Sequence, residues 1–223
     1  MKSIRSQISL IILIILFSIP LSAKADKDRL IITNFSQGVD EKGVPLGWEL
    51  KEKEGSPIFR LEKEEDAYVL HLISKNSSFG LTKEIDVDIK EYPYLNFRWK
   101  VKELPSNGDF RKKETDDQAA QIYVVFGRFK SLAKIVGYLW ETTAPKLITG
   151  VSPVWNKTRL IVLESGPEKI GKWVWEKRNI YDDYKLLFDK EPPKANLISI
   201  YINSQHTKSS AESYFGEIYF SKN

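Results

Sequence analysis

The stretch that decides the fold is Tyr94-Leu95-Asn96-Phe97-Arg98-Trp99-Lys100-Val101. Its apolar residues, Leu95, Phe97, Trp99 and Val101, occupy every second position. Tyr94, Asn96, Arg98 and Lys100 occupy the positions between. Successive side chains of a strand point to opposite faces, so this alternation predicts a strand with one buried and one polar face. The same period recurs in Ala67–Ser74, Gly80–Asp88, Ala119–Phe129, Ile135–Glu141, Thr158–Leu163, Trp173–Ile180, Leu197–Ile202 and Tyr214–Phe220. Turn chemistry separates these runs at Lys42-Gly43, Pro105-Ser106-Asn107-Gly108, Ser165-Gly166-Pro167 and Glu191-Pro192-Pro193. Lys51–Glu54 and Glu62–Asp66 are charge-rich and are read as solvated hairpin ends. Helical spacing is confined to Asp182–Phe188, with Asp182 the expected N-cap. Many short strands, close turns and one short helix predict an all-β chain, a β-sandwich or barrel.

The N-terminus reads differently. Lys2 and Arg5 precede an apolar run, Ile8–Ile19, interrupted only by Ser9 and Ser18; Pro20 and Ala23-Lys24-Ala25 follow. This is the charged, apolar and small-x-small order of a secretory signal. The run is shorter than the ~20 residues a spanning helix needs. Residues 1–25 are therefore expected to be a signal peptide, and residues 26–223 a single domain, periplasmic or secreted. Contact with a membrane is expected only through an uncleaved signal. The chain has no cysteine, which excludes disulfides and a cysteine-borne lipid anchor.

The net charge of +4 includes Lys2, Arg5 and Lys24, so the mature part is nearly neutral. With no basic stripe, nucleic acid is not an expected partner. Aromatic residues are abundant: six Trp, ten Tyr and eleven Phe. Most should fill the core, Trp173 and Trp175 included.

The block Pro93–Val101 followed by Leu104-Pro105 resembles a bacterial family of unknown function, DUF3047. So do Asp116–Phe126, Tyr138-Leu139-Trp140-Glu141, Leu163-Glu164-Ser165-Gly166, Trp175–Asn179, Asp183-Tyr184, Phe188 and Glu191-Pro192-Pro193. The resemblance implies an exported single domain and supplies no activity. Ile31–Phe35, Gly47-Trp48 and Phe215–Phe220 resemble the jelly roll of galactose-binding type, a layout shared by carbohydrate-binding modules. The family usually carries an acidic turn near the C-terminus. This chain has Ile202-Asn203-Ser204-Gln205-His206-Thr207, with amides where the acids stand.

Several polar residues qualify as ligand-binding candidates. Asp116 and Asp117 are paired carboxylates, which can share a proton, hold a cation or sit solvated at a strand edge. Arg98 lies on the polar side of its strand, and Tyr123 lies opposite Ile122, Val124 and Phe126. Glu141 follows Trp140, and Glu176 and Arg178 share one side of a strand. Together, Arg98, Asp116, Asp117, Tyr123, Trp140, Glu141, Glu176 and Arg178 suit a polar surface. Arginine would meet a carboxylate or phosphate, acids would meet sugar hydroxyls, and aromatic rings would serve as platforms. A ladder of cross-strand ion pairs is the structural alternative.

No catalytic residue is assigned. Neither His71 nor His206 has a partner at ligand spacing, so no transition-metal site is read. No cofactor is expected. A structural calcium drawing on Asn34, Asp40 and Glu217 stays open. Three functions remain: a binding module for a glycan or other polar envelope ligand, a carboxylate-dependent glycan hydrolase or lyase, and an interaction protein with an envelope protein partner. The first is preferred, which makes the chain more a binder than an enzyme.

Overall fold

The computed structural model describes residues 27–127 and 132–223; the expected signal peptide and residues 128 and 129 of the Ala119–Phe129 run lie outside them. The strands are β1 Arg29–Thr33, β2 Glu49–Glu54, β3 Ile58–Glu64, β4 Ala67–Lys75, β5 Ser78–Val87, β6 Tyr94–Glu103 and β7 Ala120–Phe126. They continue as β8 Lys134–Glu141, β9 Thr149–Val151, β10 Thr158–Ser165, β11 Val174–Asn179, β12 Ala195–Asn203 and β13 Ser210–Ser221; one helix, α1, spans Ile180–Phe188.

They form two sheets. One runs β11-β6-β13-β4-β3, with β1 also paired to β13; the other runs β2-β5-β12-β7-β8-β10-β9. The pair β8–β10 is parallel. The first and last strands, β1 and β13, pair antiparallel, as the jelly-roll reading requires of the chain ends. The chain is a β-sandwich, with one short α-helix among the described residues.

The alternation in β6 works as expected. Leu95, Phe97, Trp99 and Val101 are completely buried between the sheets, facing Ile122, Val124, Tyr138 and Trp140 of the other sheet in one core. Trp99 meets Phe97, Trp140 and Phe215 edge-on at 5.0, 5.8 and 6.5 Å. Such pairs add about 0.5–1.5 kcal/mol each beyond burial. A smaller cluster of Phe110, Leu139, Ala144, Leu160 and Val162 covers the outside of β8 and β10. Part of the seven-stranded sheet's outer face is thereby closed.

Three expectations are corrected. Lys51–Glu54 belongs to β2 and Glu62–Glu64 to β3, while Glu65-Asp66 form the turn of the β3–β4 hairpin as expected. Both β2 and β3 are edge strands, where charged side chains shield an open row of backbone groups. The cap of α1 is Asn179, whose side chain accepts the Asp182 N–H at 3.1 Å; Asp182 is already in the first turn. Trp175 is not in the core. It sits on the outside of β11 and is 57% exposed.

Candidate functional site

The structure sends the eight candidate residues to separate places, so they do not make one surface. Arg98 is on the outer face of the six-stranded sheet. Tyr123, Asp116, Asp117 and Glu141 gather at the outer side of the seven-stranded sheet. Trp140 is completely buried between the sheets. Glu176 and Arg178 point to the opposite side of β11 from Trp175, since they are an odd number of residues away. A single sequence shows which side of a strand a residue takes, and not which sheet the strand joins.

Asp117 is fully buried, and its carboxylate accepts the His206 N–H, the Thr207 N–H at 2.6 Å and the Thr207 hydroxyl at 2.7 Å. It anchors the C-terminal turn. Asn203, one of the amides in the departing motif, accepts the Gln118 N–H at 2.8 Å and donates to the Asp116 carbonyl. An amide does both jobs at once, whereas a carboxylate only accepts. Asp116 is half-buried, and its Oδ1 accepts from Gln118. Burial pushes its pKa up, and neighbouring Asp117 pushes the same way. Glu141 is fully buried; one oxygen accepts the Phe110 N–H at 3.1 Å and the other has no partner. Burial raises its pKa to about 7. Tyr123 donates to Gln121.

At the edge formed by β11, Arg178 donates through Nε to Asp183 at 3.0 Å, and Tyr138 donates to the same carboxylate at 2.7 Å. This network ties α1 to both sheets. Glu176 is half-buried with Oε1 unpartnered, and burial lifts it to about 7. Nearby, Glu164 is paired with Lys146 and Lys169 at 2.8 and 2.7 Å.

Arg98 is the exception. Among the described residues it makes no hydrogen bond and no ion pair, although Asp66 and Glu217 lie close enough to line the same pocket. Its guanidinium stacks over Trp173 at 4.6 Å and lies 5.6 Å from Trp175, which is directly opposite in the β6–β11 register. Its stem crosses Gly216 of β13. A Cβ there would lie 2.3 Å from Nε and 2.7 Å from Cγ, so only glycine leaves room for this conformation. Nε is sealed off and unpartnered.

The surroundings hold the Trp173 indole in place. Trp173 Nε1 donates to Glu64 Oε2 at 3.0 Å, and Glu64 Oε1 accepts from Lys100. Burial pushes the Glu64 carboxyl up, yet these two hydrogen bonds prevail and hold it low. Lys100 lies 4.7 Å from Trp173 and 4.3 Å from Tyr214. Tyr214 stacks flat on His71 at 4.0 Å, and the two His71 ring nitrogens meet Glu62 and Glu212 at 2.8 and 2.9 Å. Cation, ring and carboxylate alternate across the face from β11 to β3.

Two pockets open there. One, of ≈ 400 Å³, is lined by Asn34, Ser36, Asp66, Tyr68, Arg98, Trp175 and Glu217 among others. The next, of ≈ 390 Å³, includes Glu64, Glu65, Asp66, Arg98, Lys100 and Trp173. Sequence reasoning found Arg98 and missed Trp173, Trp175 and Gly216. The available signal was period two: Trp173 and Trp175 are in phase with the exposed Lys177, not with the apolar Val174.

For the calcium candidates, Asn34 Oδ1 accepts from Ser36 and Asp40 Oδ1 accepts the Lys42 and Val44 N–H groups. No group of three His, Cys, Asp or Glu able to hold a metal occurs among the described residues. No described helix is long and apolar enough to cross a membrane.

A family model described as a protein of unknown function, DUF3047, matches residues 47–219. The chain belongs to the DUF3047 family. The matched part of this DUF3047 chain runs from just before β2 into β13 and contains Arg98, Trp173, Trp175 and Gly216. No curated protein matches it.

Among solved structures, it is similar to a family 11 carbohydrate-binding module of a cellulosomal cellulase of Clostridium thermocellum. The identity is 9%, the match covers 86% of this chain and 93% of that one, and the TM-score is 0.46. For a family 30 carbohydrate-binding module from a cellulase of the same organism the values are 11%, 87%, 98% and 0.49. For a cellulase derived from Cel12A of Rhodothermus marinus they are 10%, 85%, 98% and 0.48.

Proposed function

We propose that the chain is an exported binding module for a glycan, working through the outer face of the six-stranded sheet. The observation that carries this reading is the pair Trp173 and Trp175 beside Arg98, with Trp175 more than half exposed. An exposed indole costs burial free energy unless something covers it. Its flat apolar face and polar edge suit a sugar ring, and Asn34, Asp66 and Glu217 supply acceptors for hydroxyls around it. Trp173, anchored by Glu64, loses little entropy on binding. Export rests on the charged, apolar and small-x-small order of residues 1–25.

The hydrolase reading finds less support. Glu141 is completely buried, with one oxygen held by the Phe110 N–H, out of reach of a glycosidic oxygen. Asp117 has both oxygens committed to the turn it holds. The test is titration of residues 26–223 against a panel of envelope and cell-wall oligosaccharides by calorimetry. A ligand whose affinity falls at least about tenfold in Trp175→Ala supports the face named here. Undiminished binding in that variant moves the site elsewhere.

A further inference from the structure

We infer that the ligand of this face carries an isolated acidic sugar in the interior of its chain, read end-on by Arg98. The inference rests on the glycan reading above and names the ligand class.

Arg98 is a permanent cation in a half-buried position with no carboxylate on it. Nearby cations have partners: Lys100 is held by Glu64, and Arg60 by Glu62. Asp66 and Glu217 line the same pocket without pairing with Arg98. Gly216 beneath and the indoles beside it hold the guanidinium in one orientation. Nε is sealed, so recognition falls to the two terminal nitrogens, a planar fork that matches a carboxylate.

Arg98, Asp66 and Ala67 line both pockets. Each pocket lies within the ~300–1,000 Å³ range of small-molecule sites. A sugar acid seated on Arg98 therefore has room for a neighbour on either side, so it is an internal unit.

The flanks restrict those neighbours. Glu64, Glu65 and Asp66 border one pocket, and Asp66 and Glu217 border the other. A run of consecutive uronates would place carboxylates against carboxylates. The complementary ligand alternates one acidic sugar with neutral or amino-sugar neighbours.

The test titrates residues 26–223 with three probes at fixed salt. They are an oligosaccharide of alternating glucuronate and N-acetylglucosamine, the same oligosaccharide with its carboxyls reduced to alcohols, and oligogalacturonate. The expected result is tightest binding of the alternating acid, with about tenfold or greater loss on carboxyl reduction and on the change to oligogalacturonate. Arg98→Gln should remove the preference for the acid over its reduced form. Gly216→Ala should do the same while keeping the charge, because its methyl group displaces the Arg98 stem. Arg98→Lys keeps charge without the fork and should recover only part of the preference.

Equal affinity for the acid and its reduced form in the wild type overturns the acidic-sugar inference and leaves the glycan reading standing. Tighter binding of oligogalacturonate overturns the isolated-acid part. If neither these probes nor neutral oligosaccharides bind, the glycan reading itself fails.

Discussion

Replacing Glu141 by glutamine should make the protein more stable, with a gain that appears as pH rises from about 4.5 and is complete above about 7. Glu141 is completely buried with Oε2 unpartnered. Burial raises its pKa from 4.5 to about 7, and the charges of Asp109 and Asp116 add to the effect. In the unfolded chain the proton leaves near pH 4.5. The folded state therefore holds the extra proton between about 4.5 and 7, and unfolding free energy falls as pH rises through that window. At about 1.36 kcal/mol per pH unit, the interval amounts to about 3 kcal/mol lost above pH 7. Glutamine cannot ionise, and its carbonyl can still accept the Phe110 N–H.

Urea unfolding from pH 4 to 9, followed by tryptophan fluorescence, should show the Glu141→Gln and wild-type stabilities converging at pH 4. They should separate by as much as about 3 kcal/mol at pH 8, or about 6–12 °C in Tm for a chain of this size. A difference that stays constant with pH would refute the reasoning, because a packing effect alone does not titrate. A variant less stable than wild type at pH 8 would refute it too.

Three further substitutions probe the polar anchors. Asp117→Asn should cost about 2–4 kcal/mol, since it places an amide N–H₂ against donors from His206 and Thr207; urea unfolding checks this, and a loss under about 1 kcal/mol would contradict it. Asp183→Asn leaves Arg178 without its carboxylate and should cost about 3 kcal/mol, while Tyr138→Phe, which removes one hydrogen bond to the same group, should cost about 1 kcal/mol. If the Tyr138 change costs as much as the Asp183 change, the ion pair is not what holds that edge.

The alternation in Tyr94–Val101 is local physics. A buried Leu95, Phe97, Trp99 and Val101 forces Arg98 to the other face whatever the strand's neighbours are. The same rule put Tyr123 opposite Ile122 and paired Glu176 with Arg178. The all-β class and the short helix followed from such local patterns, whereas the amide departure at Asn203 and Gln205 was visible only against the family resemblance. Edge strands β2 and β3 were harder to read, because a strand with one neighbour can be charged nearly throughout.

Sequence alone thus determined the faces, the class and one residue of the platform. Tertiary structure decided what lies beside that residue. Gly216 is 118 positions from Arg98 along the chain, yet β13 pairs with β6 and carries it beneath the arginine stem. Trp175 meets Arg98 only because β11 joins the same sheet. The same pairing decided that Arg98 and Tyr123, both correctly read as facing outward, belong to different sheets. Strand order depends on long-range contacts that summed burial selects, and no window of a single sequence contains them.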